Sequence, residues 1–489
     1  MKKYFYIPIV FATVIFCNIS CSKFLDENPP NLIDEEKFFE TEADAIASVN
    51  SIYSYLNAQK AAPFTGTYHS TFWAVIGLAS DELKQGNLEL NHPNMEPIGN
   101  FTFSPLYTEF AEIWQQQYKP ITLANISIEN IPSVDMDETL KGRLVGEARF
   151  LRALLYFNMV RMFGEIPLVL SATEPLSPTP SSEDAIYDAI INDLTEAINV
   201  LPDTYPPKNG RGRATKGAAN ALLAKVYLTR NNWQGCIDHC MNTINSGQYD
   251  LWQDFADAFK LKNRGGKESV FAVGFGDANG AISFWEVGQF LVRLLPPALQ
   301  QEGVINCQGW QYPTQNLYNS FAAQDRRRTV TFGTIANGNP IAPYIIKYWD
   351  RPAEPKGNES ENDFQVIRYS DVLLMAAEAY NEVGNTPEAE KYINLIRKRA
   401  RWDGTKYLNI LPDISGLNQS QFRDTVLNER KWELVCEGHR WFDLKRTGKL
   451  ETIVPLSKSG ILPQAKNYLF PKPQREIDLN SNLIQNDGY

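Results

Sequence analysis

Three glutamates recur at four-residue spacing near the C-terminus, Glu429, Glu433 and Glu437, and His439 follows them. On a helix that spacing puts the carboxylates on one face. Carboxyl pairs hydrolyse glycosidic bonds when they face each other across a cleft at about 5–10 Å, which one helix face cannot arrange. Arg430, Lys431, Arg440, Lys445 and Arg446 are interleaved with them, so the spacing predicts a lattice of i,i+3 and i,i+4 ion pairs. Other chemistry-bearing residues are sparse. His69, His92, His239 and His439 make no two-histidine helical pair, which excludes HExxH hydrolysis. The chain has no G-x-S-x-G elbow, no P-loop and no G-x-G-x-x-G after a strand. Gly210-Arg211-Gly212-Arg213 resembles a phosphate loop only in composition and leads into a helix cap at Thr215. Cys236 and Cys240 lie four apart on one helix face with no second ligand pair nearby, so they are expected to be small buried apolar groups rather than zinc ligands. No catalytic residue, metal or cofactor is expected.

Aromatic richness can be simply core, but the same residues also supply binding surface. Among 489 residues stand 10 Trp, 22 Tyr and 26 Phe, and rigid aromatic surface is what weak ligands stick to. The formal charge of −10 and the lone three-residue basic run Arg326-Arg327-Arg328 give no electrostatic footprint for nucleic acid. At the N-terminus Met1-Lys2-Lys3 precedes an apolar stretch from Tyr4 to Phe16. That stretch is shorter than the roughly 20 residues that span a bilayer, so it reads as the core of a signal peptide. Asn18-Ile19-Ser20-Cys21 follows, a small residue before a cysteine, as at a bacterial lipoprotein cleavage site. Asn18 stands where an apolar residue is usual. Residues 1–20 are therefore expected to be removed, and Cys21 to carry the lipid that anchors the mature chain.

These residues must be held by a scaffold, and the apolar spacing predicts a helical one. Period-3.6 patterns cover Glu42–Leu56, Phe110–Ile128 and Leu140–Phe163, the last with a stripe of Leu144, Ala148, Leu151, Leu155, Met159 and Met162. A short helix is expected near Ala79–Leu83. Ser182 caps a helix to Leu201, and Thr215 opens an Ala-rich one through Tyr227. Another helix follows Asn231-Asn232-Trp233 and ends at Gly247. Asp371–Val383 and Pro387–Arg399 repeat the motif, with Tyr227, Cys236 and Cys240 matching Tyr380, Ala389 and Ile393 at a common offset of 153. Apolar residues at fixed positions across a tight turn mark a tetratricopeptide-like hairpin. Two to three such pairs are visible, interrupted by residues 248–366. That insert carries a β-like run at Ser269–Gly274, a Thr-rich stretch near Thr329–Thr334, and Ile345–Trp349. The fold class is mainly α, a helical-pair scaffold with a loop-rich, short-stranded insert; the units are 21–247, 248–366 and 367–489.

Several blocks, in one order along the chain, resemble the SusD/RagB family of surface lipoproteins of Gram-negative bacteria. They are Cys21-Ser22-Lys23-Phe24-Leu25-Asp26, Ala79-Ser80-Asp81-Glu82, and Gly146 through Ala153 running into Phe163-Gly164-Glu165-Ile166-Pro167. Arg368 through Leu374, Glu429 through Leu434, Glu437 through Arg446 and the terminal Gln485-Asn486 continue the series. The resemblance implies about four helical pairs. It also implies a non-catalytic nutrient-binding protein on the cell surface, capping a SusC-like TonB-dependent outer-membrane transporter and capturing oligosaccharides or, in some branches, peptides. A sugar ring stacks on aromatic faces while amides hydrogen-bond its hydroxyls. Trp285, Trp310, Tyr312 and Trp349 in the insert are the candidate platforms, with Trp73 in the loops before the Asp81-Glu82 block, and Asn87, Asn91 and Gln308 as polar partners. The loops around residues 67–100 are expected to form the opposing wall. Two rivals stand beside this reading: a surface hydrolase, and a helical-repeat scaffold that binds only protein.

Overall fold

The computed structural model describes residues 38–57, 66–68, 71–86, 95–173, 177–206, 210–275, 295–302, 307–349 and 362–489. Cys21, Asn87, Asn91 and Trp285 lie outside them. The helices of eight or more residues are α1 (Glu42–Leu56), α2 (Thr71–Leu78), α3 (Thr108–Asn130), α4 (Glu138–Phe163), α5 (Glu183–Val200), α6 (Lys216–Thr229), α7 (Trp233–Asn245), α8 (Tyr369–Glu382), α9 (Thr386–Ala400), α10 (Gln419–Glu433) and α11 (Leu450–Ser457). Their starts are written in capping residues. Thr41, Asp137, Ser182, Thr215, Asn232, Asn385 and Asn418 each accept a backbone N–H of the first turn, satisfying donors that the helix leaves open. The expected helix at Ala79–Leu83 is displaced: α2 ends at Leu78, and Leu83 already belongs to a strand.

The helices stack in sequence, α1 on α3, then α3 on α4, α4 on α5, α5 on α6 and α6 on α7. Helix α7 packs on α8 although some 120 residues separate them, and α8 packs on α9 and α10. The insert therefore leaves and re-enters the stack at one place. The whole predicted stripe of α4, Leu144 to Met162, is fully buried. So are Phe150 and Phe157 on its other sides, because neighbours cover α4 on both flanks and it is enclosed rather than amphipathic. Cys236, Cys240, Ala389 and Ile393 are all fully buried where the two matching hairpins meet, and the cysteines are free thiols.

The strands of three or more residues are β1 (Leu83–Gln85), β2 (Ser269–Val273), β3 (Gln311–Pro313), β4 (Phe332–Ala336), β5 (Asn339–Ile345) and β6 (Phe364–Arg368). They form two-stranded antiparallel ladders, β1 with β3, β2 with β6 and β4 with β5. The β2–β6 pair closes the root of the insert just before α8 begins.

Candidate functional site

Asn337 and Gly338 join β4 to β5, both with positive φ, 52° and 72°. A two-residue hairpin with that backbone matches the right-handed strand twist, and Asn-Gly adopts it at low cost. The hairpin and the turn after it wall an open cleft of about 810 Å³. Ile335, Asn337 and Tyr344 line it from the hairpin, and Trp349 from the following turn, where its amide N–H donates to the Ile346 carbonyl at 2.8 Å. The Tyr344 hydroxyl donates to the Ile335 carbonyl at 2.7 Å, which fixes the ring. The facing wall is Ala256, Phe259 and Lys260 with Arg326, Thr329 and Val330 of a short helix. Aromatic and aliphatic surface beside a few polar groups is the make-up of a small-molecule site. Sequence reasoning named Trp349 but not Tyr344, Ile335 or Asn337. The Asn-Gly dipeptide between two apolar runs was the signal that locates the hairpin.

The remaining candidates fall in three places. Tyr312 sits on β3 opposite Lys84 of β1 and packs with Trp349 against one small cluster of Leu295, Leu299, Cys307, Ala336 and Tyr344. Trp310 packs, half-buried, against the main core, and Gln308 is half-buried nearby on the same segment. The β1–β3 ladder joins the 67–100 region to the insert. Its extension needs two glycines: the Gly86 N–H donates to the Trp310 carbonyl at 2.7 Å, and a Cβ on Gly86 would lie 1.8 Å from the Gly309 carbonyl oxygen. Trp73 requires a correction. It lies on α2, not in a loop, and only 5% of it is exposed. A sugar needs a bare ring face, and α2 turns this one into the core.

The glutamate series also differs from expectation. Glu429, Glu433 and Glu437 are fully buried, and their partners come from other elements rather than from the same helix. Glu429 pairs with Arg327 at 2.5 Å and Arg397 at 2.8 Å. Glu433 pairs with Arg368 at 3.1 Å and with Arg399. Glu437, beyond the end of α10, pairs with Arg368 at 2.6 Å and Lys347 at 2.5 Å. Glu268 closes the network through Arg368 and Arg399. Burial alone would raise the Glu433 carboxyl; the guanidiniums of Arg399, Arg368 and Arg327 outweigh it and hold it well below the usual range. The basic run is split as well. Arg326 grips Asp254 at 2.9 and 2.8 Å, Arg327 enters the network, and Arg328 covers the Tyr318 ring. The network bolts the floor of the cleft, through Arg327 and Lys347, onto α9 and α10.

At the foot of the β1–β3 ladder the Glu82 carbonyl accepts the Thr314 N–H at 2.8 Å. Burial, helped by the neighbouring Asp81 charge, pushes the Glu82 carboxyl up to about 8. A carboxyl that stays protonated in the folded chain favours folding below the ordinary glutamate range, and that contribution is lost as pH rises from about 4.5 to about 8. Glu82→Gln removes the titration. Thermal unfolding is therefore expected to show the variant more stable than the parent at pH 8, with the gap closing at pH 4.5. An equal gap at both pH values would contradict the assignment.

A stack of helices carrying a strand-poor insert is the fold of solved SusD-like proteins. The solved structure of a laminarin-binding SusD-like protein matches with a TM-score of 0.76 at 25% identity, over 92% of this chain and all of that one. A SusD superfamily protein from Bacteroides vulgatus gives 0.79 at 24% identity, over 92% of this chain and 100% of its own. In sequence, the SusD family model matches residues 307–489, and the family described as starch-binding associating with outer membrane matches residues 23–228. The SusD-like proteins P2 and P25 of Formosa agariphila are 32% and 30% identical, over 100% and 98% of both chains respectively. The chain belongs to the SusD family.

Proposed function

We propose that this protein is a non-catalytic, lipid-anchored protein of the cell surface. It binds oligosaccharides in the cleft beside Trp349 and passes them to a SusC-like TonB-dependent transporter in the outer membrane. The observation that carries the reading is the cleft itself, with the half-buried Trp349 ring beside Asn337 and Thr329 and the buried Tyr344 ring packed behind it, in a chain whose solved relatives include a laminarin-binding protein. The carboxylates that first suggested hydrolysis favour the same conclusion, since each is buried and neutralised by arginine or lysine, leaving it unsuited to general acid or base work. Among the described residues no helix is long and apolar enough to cross a membrane, and Cys21 supplies the anchor in this reading.

Trp349→Ala tests the site. A stacked ring contributes on the order of 1–2 kcal/mol, by analogy with aromatic pairs, so affinity for a bound glycan should fall about tenfold. The half-buried ring sits at the rim of a satellite cluster, so the melting temperature should move little. Unchanged affinity with a large loss of stability would remove Trp349 from the site. Cys21→Ser tests the anchor: the variant should leave the membrane fraction, and retention equal to the parent would refute lipidation.

A further inference from the structure

The charges around the cleft narrow the class of ligand. Three cations line it among the described residues, and each already has its counter-charge. Lys260 holds Asp257 at 2.7 Å. Arg326 holds Asp254 through two parallel bonds of 2.9 and 2.8 Å, a geometry that uses the guanidinium fork fully. Lys347 is fully buried on Glu437 at 2.5 Å. Among the described residues no carboxylate lines the cleft. The rest of the lining offers aromatic rings, aliphatic groups, a hydroxyl and an amide, with Ile335 at 58% exposure projecting from the hairpin.

We infer that the cleft selects neutral glycans and discriminates against those bearing uronate or sulfate groups. Against the described lining an anionic sugar gains little from Arg326 and Lys347, which are held by their own acids, and must share Lys260 with Asp257, while a charge removed from water without a full partner is costly. A ligand bearing an ammonium group meets the same difficulty in mirror image. Hydroxyl-rich neutral rings need only stacking and hydrogen bonds, which this lining supplies. Selectivity of this kind works by withholding a partner from the wrong ligand. The inference rests on the cleft being the glycan site.

Calorimetric titration of the purified mature protein with laminarihexaose, maltohexaose and hexagalacturonate, in 20 and 300 mM NaCl, tests it. At least one neutral hexasaccharide should bind with a Kd that changes less than twofold with salt, and hexagalacturonate at least tenfold more weakly. Asp254→Asn releases the Arg326 charge, and Ile335→Lys adds a cation at a lining position that is 58% exposed. Either variant should strengthen hexagalacturonate binding at least fivefold in 20 mM NaCl, and Ile335→Lys keeps the test alive if Asp254→Asn proves unstable. If hexagalacturonate binds the parent more tightly than the neutral sugars, weakens tenfold with salt and is lost in Trp349→Ala, the neutral selectivity is wrong while the cleft stands. If a glycan of either kind binds Trp349→Ala undiminished, the site lies elsewhere and the inference falls with it. Absence of binding by all three sugars overturns both.

Discussion

Arg368→Ala is expected to destabilise the protein by about 3–5 kcal/mol, the cost of stranding buried charges. Arg368 is almost wholly buried and serves Glu268, Glu433 and Glu437 at once, at 2.5, 3.1 and 2.6 Å. Its removal leaves Glu437 with Lys347 alone and weakens the hold on two further carboxylates, none of which can reach water. Arg368→Met keeps the volume and should be nearly as damaging, which separates loss of charge from loss of packing. Pairing Arg368→Met with Glu437→Gln should recover part of the stability, because one stranded carboxylate is then gone. Urea unfolding followed by tryptophan fluorescence reads all three variants. A loss below about 1 kcal/mol for Arg368→Ala would mean that the network behaves like a surface pair. Because β6 ends at Arg368 and α8 starts at Tyr369, the same substitution loosens the joint between insert and scaffold.

Trp73→Ala is the second large effect, and it separates core from platform. The ring is buried on α2 among residues such as Phe72, Ile76 and Leu83. Truncating a buried tryptophan costs about 3–5 kcal/mol through lost burial and the cavity left behind. The folded fraction should nevertheless bind glycan with a Kd within about twofold of the parent, the reverse of the pattern expected for Trp349→Ala. Thermal unfolding and calorimetry on the same preparation decide it. A tenfold loss of affinity with little loss of stability would restore Trp73 as a platform.

The outcome for the four tryptophans singled out in the sequence marks where local pattern stops being informative. Trp285 lies outside the described residues, Trp73 is core, Trp310 packs on the main core, and Trp349 lines the cleft. All four are aromatic residues in non-periodic or weakly periodic surroundings, and nothing local distinguishes a buried ring from a bare one.

The long scaffold helices and several of their ends were legible in the sequence alone, because they depend on spacing and capping within a few residues, whereas the short helix expected at Ala79–Leu83 lies instead at Thr71–Leu78. Glu42–Leu56 was read with the ends it has, and Ser182 and Thr215 cap α5 and α6 as their side chains allow. The burial of Cys236 and Cys240 followed from apolar spacing in the same way. What surrounds a residue across the fold was decided only by tertiary structure. Glu429, Glu433 and Glu437 had basic neighbours in sequence, yet their counter-ions Arg327, Lys347, Arg368, Arg397 and Arg399 arrive from 30 to more than 100 residues away. The cleft likewise joins residues of a 3-10 turn, a short helix and a hairpin that no local periodicity links. A helix is specified by contacts three and four residues apart, whereas a buried ion network and a binding cleft are specified by which distant segments the folded core brings together.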